Sequence, residues 1–331
     1  MIVATTDRLT LRQFTREDAH AFMELTNAPE VRRYTGAKPY ASVEEAAAMI
    51  DTLLSRYHRD GFGRWVVERR SDEKFMGWCG LRPVEREGVD LGFWILPRHW
   101  SQGYATEAAT ASVDLAFGEL DLPYLLGRAV AANVASMTVL GKLGFEPWLK
   151  TSGHGYDDVR YSILRRPDAP VADVRTAVVC SKGGLTARLL QPADQLDFFM
   201  LEGNANVLKY ADGELVSYEE AGEAIERLRS SSAQALRVWA VTSTALPFVG
   251  TVATVVEGDR IEIGYRLLEA VWGQGLGRPL AALALALARQ EYPGRTIFAR
   301  CDLRNAASMA VLGGLGGMRG ADADGHAVWD W

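Results

Sequence analysis

Apolar and polar side chains alternate over residues 9–14, which predicts a β-strand. The stretches 16–27 and 43–58 then return apolar residues every three to four positions, as on one face of a helix. Three strand-like segments follow at 64–69, 74–83 and 89–96. An alanine-rich helix is predicted over 106–117, a strand over 125–130, and a helix over 133–142 that Gly144 stops. A last strand is predicted at 156–164. The order βααβββαβαβ mixes strands and helices without regular alternation. It predicts an α+β domain, a mixed and mostly antiparallel sheet flanked by helices.

The same pattern then runs again. Trp100-Ser101-Gln102-Gly103-Tyr104-Ala105 returns as Trp272-Gly273-Gln274-Gly275-Leu276-Gly277. Residues 133–145 return as 305–317, with nine of thirteen positions identical, where ordinary residue usage matches about one in ten. Both pairs share one offset, 172 (272 − 100 and 305 − 133), so spacing is kept along with identity. Leu9-Thr10-Leu11-Arg12 matches Leu185-Thr186-Ala187-Arg188, and Ser42-Val43-Glu44-Glu45-Ala46 matches Ser217-Tyr218-Glu219-Glu220-Ala221. The offset falls from 176 at Arg12 to 172 at Trp100, so the second copy has lost four residues net, expected in surface loops. The chain therefore reads as two tandem domains, 1–165 and 174–331, joined by a linker at 166–173 that holds Pro167 and Pro170. The β-branched stretch 174–180 predicts an extra strand, and 327–331 a short last one.

Composition narrows the function classes. A net charge of −6 argues against a non-specific nucleic-acid binder; it is compatible with a cationic acceptor such as an amine, although plain solubility accounts for it better. The three cysteines, Cys79, Cys180 and Cys301, have no metal-ligand spacing and fit a reducing compartment. Residues 1–12 lack an apolar leader core, and the run 279–288 is too short to span a membrane and reads as a buried helix. The expectation is a cytoplasmic protein with no metal, no membrane and no nucleic-acid partner.

The Trp-x-Gln-Gly-x-Ala/Gly turn lies between a strand and a helix in both copies. Gly103 lets backbone approach a ligand closely, and the first helical N–H groups beyond it lack internal partners, which makes an anion site fit for a diphosphate. Taken alone, such a turn serves equally as a tight strand-to-helix connection, and Glu107 in the first turn serves equally to complement the helix dipole. A dinucleotide or triphosphate loop fits less well, because Gly-x-Gly-x-x-Gly with a downstream acid and Gly-Lys-Ser/Thr are both missing.

The run from Asp90 to Ala108, followed by Asn133-x-x-Ser136 and Leu143-Gly144-Phe145, resembles the GNAT superfamily of acetyl-CoA-dependent N-acetyltransferases, and within it the RimJ/RimL-type branch. The resemblance covers residues 6–165 and 184–331. It implies acetyl-CoA as co-substrate and a small amine or a protein N-terminus as acceptor. It implies that the diphosphate sits on the amides of Gln102, Gly103, Tyr104, Ala105 and Thr106, and of Gln274, Gly275, Leu276, Gly277 and Arg278. It implies that the pantetheine arm pairs with Trp94, Ile95 and Leu96, or with Arg266, Leu267 and Leu268, and that Asn133 and Asn305 touch the arm or a water. The second copy departs from the pattern at Gly277-Arg278-Pro279 and at Gly317 in place of Phe145, which leaves the alternative of one active domain plus a non-catalytic domain that senses acetyl-CoA or binds a partner. The duplication could supply an internal pseudo-dimer, leaving a monomer, or the chain could form a homodimer.

Acyl transfer to an amine needs a base, a donor for charge on the carbonyl oxygen, and help for the departing thiol. Asp90 is the candidate base, and Glu262 holds the matched place (262 − 90 = 172). A backbone N–H on the 94–96 edge is the candidate oxyanion donor. Ser136 and Ser308 stand at i,i+3 from the asparagines and are candidates for the thiol, although a helix-start role fits them too. Trp100 and Trp272 are expected to brace the turn. Tyr34, Tyr40, Trp65, Trp78 and Trp94 either line an acceptor cleft or pack the core.

Overall fold

The computed structural model describes residues 1–331 except 154, 176–177, 212 and 231–234. The chain divides into two compact units, Met1–Ala169 and Pro170–Trp331. The first runs β1 (Ile2–Thr5), β2 (Leu9–Arg12), a 3-10 turn (Arg16–Asp18), α1 (Ala19–Asn27), α2 (Pro29–Arg32), α3 (Val43–Asp60), β3 (Arg64–Arg69), β4 (Lys74–Val84), β5 (Gly88–Ile95), α4 (Tyr104–Gly118), β6 (Tyr124–Val130), α5 (Val134–Lys142), β7 (Glu146–Gly153) and β8 (Tyr156–Arg165). The second runs β9 (Val178–Lys182), β10 (Leu185–Leu189), α6 (Gln195–Glu202), α7 (Tyr218–Ser230), β11 (Leu236–Ser243), β12 (Gly250–Glu257), β13 (Arg260–Leu267), α8 (Gly277–Glu291), β14 (Thr296–Asp302), α9 (Ala306–Gly313), β15 (Met318–Arg319) and β16 (His326–Asp330).

Each unit carries one eight-stranded sheet, in the order β1-β2-β3-β4-β5-β6-β8-β7 and β9-β10-β11-β12-β13-β14-β16-β15. One neighbouring pair in each is parallel, β5 with β6 and β13 with β14, and the other pairs are antiparallel. The expected α+β class is therefore observed in both halves. The 174–180 strand is displaced: β9 begins at Val178 and pairs with β10 as β1 pairs with β2, so it is the counterpart of β1 and not an addition. Thr176 and Ala177 lie outside the described residues.

Caps fix the long helices. Ser42 accepts from the Glu45 amide at the start of α3, the Glu45 carboxylate returns to the Ala41 amide, and Gly61 at φ 76° closes the far end. Before α7 the pair is reciprocal: Ser217 Oγ accepts from the Glu220 amide, and the Glu220 carboxylate accepts from the Ser217 amide. Ala46, Ile50, Leu53 and Tyr57 give α3 its buried stripe. In the first unit α4 packs with Leu9, Leu11, Leu91 and Ile95, while α1 and α3 pack with Val66 and Trp78 in a second core. In the second unit Leu280, Leu283, Ala284, Leu287 and Ala288 of α8 are fully buried, so the apolar run 279–288 is a core helix. No helix among the described residues is long and apolar enough to cross a membrane.

Candidate active site

Strand β5 ends at Ile95, and the chain turns through Pro97–His99 into a loop whose conformation is held twice. The Trp100 indole Nε1 donates to the Ile95 carbonyl at 2.6 Å, and Ser101 and Gly103 take left-handed φ values of 59° and 82°. The second unit repeats this: Trp272 Nε1 donates to the Leu267 carbonyl at 3.1 Å, and Gly273 and Gly275 stand at φ 77° and 76°. The tryptophans thus brace the turn, as expected. Gly103 is the N-cap of α4 and offers no capping side chain, and the first intrahelical bond runs from the Glu107 amide to Gly103. The amides of Tyr104, Ala105 and Thr106 are therefore left for an anion. Leu276 caps α8, whose first bond runs from the Leu280 amide, and Pro279 in that first turn has no N–H. Pro279 holds the place of Glu107, whose amide is already spent inside α4, so the second cradle keeps the matched amides of Leu276, Gly277 and Arg278.

A clamp that sequence reasoning missed buttresses the first cradle. The Arg8 guanidinium donates to Glu107 at 2.7 Å and to the Gln102 carbonyl at 3.0 Å, and lies 4.5 Å over the Tyr104 ring. Against the rise that burial brings, hydrogen bonds from Thr6 and Arg8 hold the Glu107 carboxyl below its usual range. Glu107 therefore places a cation on the glycine turn rather than merely serving the dipole. The matched places in the second unit hold Gly184 and Pro279 (8 + 176 and 107 + 172). There Arg278 donates instead to the Gly314 carbonyl just past α9. His99 meets Tyr104 edge-on, and burial lowers its pKa, so it brings no charge to the cradle near neutrality.

Beside each cradle two strands part. The ladder between β5 and β6 is limited to Asp90 with Leu126 and Leu91 with Gly127, and that between β13 and β14 to residues 260–262 with 296–298. Beyond these, one edge of β5 through Trp94 and Ile95, and one edge of β13 through Arg266 and Leu267, has no ladder partner among the described residues. Each is an edge that an extended ligand can pair with as an added strand.

Both candidate bases sit where the strands begin to part. Asp90 is buried and accepts from Arg128 at 3.1 and 3.2 Å and from Arg82 at 3.4 Å. Burial pushes its carboxyl up to about 7, with Arg64 opposing the rise and Glu87 adding to it. Asp90 is therefore not a carboxylate exposed on its strand. Glu262 takes a tighter pair from Arg300, at 2.6 and 3.0 Å, and Arg300 also donates to Glu257.

Asn133 and Asn305 are N-caps: each Oδ1 accepts from the serine amide three residues on, Ser136 or Ser308, at 3.1 Å. The Ser308 hydroxyl also bonds the Tyr265 hydroxyl at 2.7 Å. The matched residue in the first unit is Phe93 (265 − 172), so Ser136 has no such hydroxyl there. Of the five aromatics, Trp65 packs into the α4-side core, whereas Trp78 and Trp94 lie 5.1 Å apart on β4 and β5. Tyr40 packs beside Phe22, and Tyr34 lies under Arg33. In the second unit Thr251 and Arg266 hold the cross-strand places of Trp78 and Trp94, and Arg266 is tied to Glu202 of α6 at 2.8 Å. One wall is aromatic and the other ionic. Among the described residues no cluster of His, Cys, Asp or Glu could hold a metal.

The family model for the acetyltransferase (GNAT) domain matches residues 8–146 and, a second time, residues 185–318. An uncharacterised N-acetyltransferase of Bacillus subtilis, YoaA, is 32% identical over 171 residues, which are 49% of this chain and 97% of that protein. FsC-acetyl coenzyme A-N(2)-transacetylase of Aspergillus fumigatus is 32% identical over 181 residues, 48% of this chain and 75% of that protein. The crystal structure of spermidine N-acetyltransferase from Vibrio cholerae, in complex with CoA and spermine, is similar to 49% of this chain and 97% of its own, with a TM-score of 0.42 and 22% identity.

Proposed function

The chain belongs to the GNAT acetyltransferase family through both of its halves, and from that premise we propose that each cradle binds acetyl-CoA while the first unit carries the acetyl transfer. The observation that carries this reading is the repeated cradle. The same pair of left-handed residues and the same indole brace stand beside a parallel strand pair that opens, twice in one chain. Bound acetyl-CoA supplies an acetyl thioester open to attack by an amine. The name of the Aspergillus relative pairs acetyl coenzyme A with transfer to nitrogen, which supports an amine acceptor. The acceptor is a small amine or a protein N-terminus, and the motif pattern favours the RimJ/RimL-type branch. Domains of 1–165 and 174–331 with a linker between them suit this division.

The residues divide the work as follows. The amides of Gln102 to Thr106 hold the diphosphate, with Arg8 beside them. The β5 edge at Trp94, Ile95 and Leu96 pairs with the arm, and a backbone N–H there steadies the carbonyl oxygen. Asp90 takes the amine proton, directly or through water, and Ser136 donates toward the departing sulfur. In the second unit Gln274 to Arg278, Leu267 and Leu268 repeat the binding roles. Glu262 and Ser308 hold the catalytic places, but Glu262 is tightly paired and Arg266–Glu202 replaces the tryptophan wall. These observations favour a second unit that binds acetyl-CoA and turns over little.

Asp90 must be ionised to accept a proton. Its carboxyl lies near 7, so transfer should rise about tenfold per pH unit below that value and level off above it. In Asp90→Asn the expected outcome is a rate at pH ~7.5 lower by roughly 100-fold or more, with no levelling near pH ~7, because only acceptor that has already lost its proton to solvent then reacts. A variant that keeps the wild-type rate and the wild-type levelling in a steady-state acetylation assay would remove Asp90 from this role.

A further inference from the structure

The first unit places more arginine around Asp90 than the fold requires. Arg128 already holds the carboxylate, and the second unit shows that this one pair suffices: Glu262 is held by Arg300, and the other two arginine places are valines. Arg82 stands opposite Asp90 on β4, whereas Val255 stands opposite Glu262 on β12. Arg64 stands opposite Gly80, whereas Val238 stands opposite Ala253. The Arg64 guanidinium makes no hydrogen bond or ion pair with any described residue, and its Nε is buried without a partner, as is the Nε of Arg82. A buried Nε donor with no partner is costly unless an acceptor arrives from elsewhere, and here two such donors lie close together. Burial lowers the Arg64 pKa to about 10, with the charges of Arg56 and Arg128 adding to the fall, which still leaves it charged at neutral pH.

The surroundings say what that acceptor is. Arg56, Arg64, Arg82 and Arg128 face Asp90 and Glu87, while Asp60 is taken up by Arg59 at 2.6 Å, so positive charge is in excess. Arg64 and Arg82 line a small cavity of about 10 Å³ with Leu53, Phe62 and Leu81 between the end of α3 and strands β3 and β4. It is small and lies beside Asp90 and Glu87, so a flat, singly charged carboxylate suits it better than a bulkier phosphate of higher charge. Arg64 also lies 4.3 Å over the Trp78 ring, which lies 5.1 Å from Trp94 on the edge assigned to the acyl group. We infer that Arg64 and Arg82 form a carboxylate-binding subsite beside Asp90, and that the acceptor of the first unit is an amine that also carries a carboxylate. The acceptor part rests on the acetyl-transfer reading above, whereas the anion subsite does not.

Arg64→Val and Arg82→Val install the residues that the second unit already carries at these places. Thermal unfolding of the full chain is followed with sodium propionate against sodium chloride at equal ionic strength, with sodium phosphate as a third arm. Propionate should raise the midpoint of the unmodified chain by about 2 °C or more, and phosphate should not. Either valine variant should lose that response while keeping its far-ultraviolet circular dichroism. The subsite is wrong if the unmodified chain ignores propionate, if phosphate works as well, or if the folded variants respond like the parent. Acetyl transfer to β-alanine should exceed that to ethylamine by at least about tenfold in kcat/KM, and the ratio should fall towards one in Arg64→Val. An unmodified chain that favours ethylamine would overturn the acceptor assignment. Because the propionate response needs no turnover, it separates failure of the subsite from failure of the acetyl-transfer reading.

Discussion

Gly103→Val should empty the first cradle and take most of the turnover with it. Residue 103 stands at φ 82°, a left-handed conformation that a β-branched residue scarcely adopts, so the turn must rearrange. A Cβ there would meet only Arg8 Nη2, at 3.4 Å, so the backbone conformation and not crowding carries the effect. Because the binding groups are backbone amides, their direction is lost with the turn, and no side chain can replace them. A loss of at least ~100-fold in acetyl-CoA affinity at that cradle, about 2.7 kcal/mol, is expected, with a matching fall in kcat/KM. Gly275→Val makes the same change at φ 76° in the second unit. It should remove one binding event while leaving acetylation close to that of the unmodified chain. Full turnover in Gly103→Val, or loss of turnover in Gly275→Val alone, would reverse the roles assigned to the two units.

The largest effect on stability is expected at Asp194. Arg188 and Asp194 form a bidentate pair at 2.6 and 2.8 Å with side-chain exposures of 0% and 1%. The same carboxylate accepts from the Gln191 amide, and Arg188 also donates to the carbonyls of Leu189 and Pro247. Asp194→Ala would strand a buried guanidinium, which costs about 3–5 kcal/mol. For a unit of this size that lowers the unfolding midpoint by roughly 10 °C. The matched pair in the first unit, Arg12–Asp18, is more open at 22% and 8%, and Arg12 has Glu68 as a second partner. Asp18→Ala should therefore cost clearly less. Thermal unfolding of both variants checks the order, and an equal loss in the two would show that burial is not what sets it.

Local chemistry made the repeated middle of each unit readable. Strands β3 to β5 and helix α3 follow from alternation, from the Ser42–Glu45 cap and from Gly61, all within a few residues of one another. Strands β1 and β7 did not announce themselves. β1 is an edge strand whose Ile2 is largely exposed, and β7 is an edge strand holding Pro147 and Lys150, so neither shows clean alternation. In the site, the glycine turns and the asparagine caps are short-range motifs and were visible. The Arg8–Glu107 clamp joins residues 99 apart and Tyr265–Ser308 residues 43 apart. The bare guanidinium of Arg64 is recognisable only once its neighbours are known. Such contacts depend on which strands lie side by side, and residue spacing along the chain does not report that.

Calorimetric titration of the purified full chain with acetyl-CoA distinguishes two working cradles from one. Two binding events per chain are expected, falling to one in either glycine variant. Absence of binding, or a single event that survives both Gly103→Val and Gly275→Val, would contradict two working cradles.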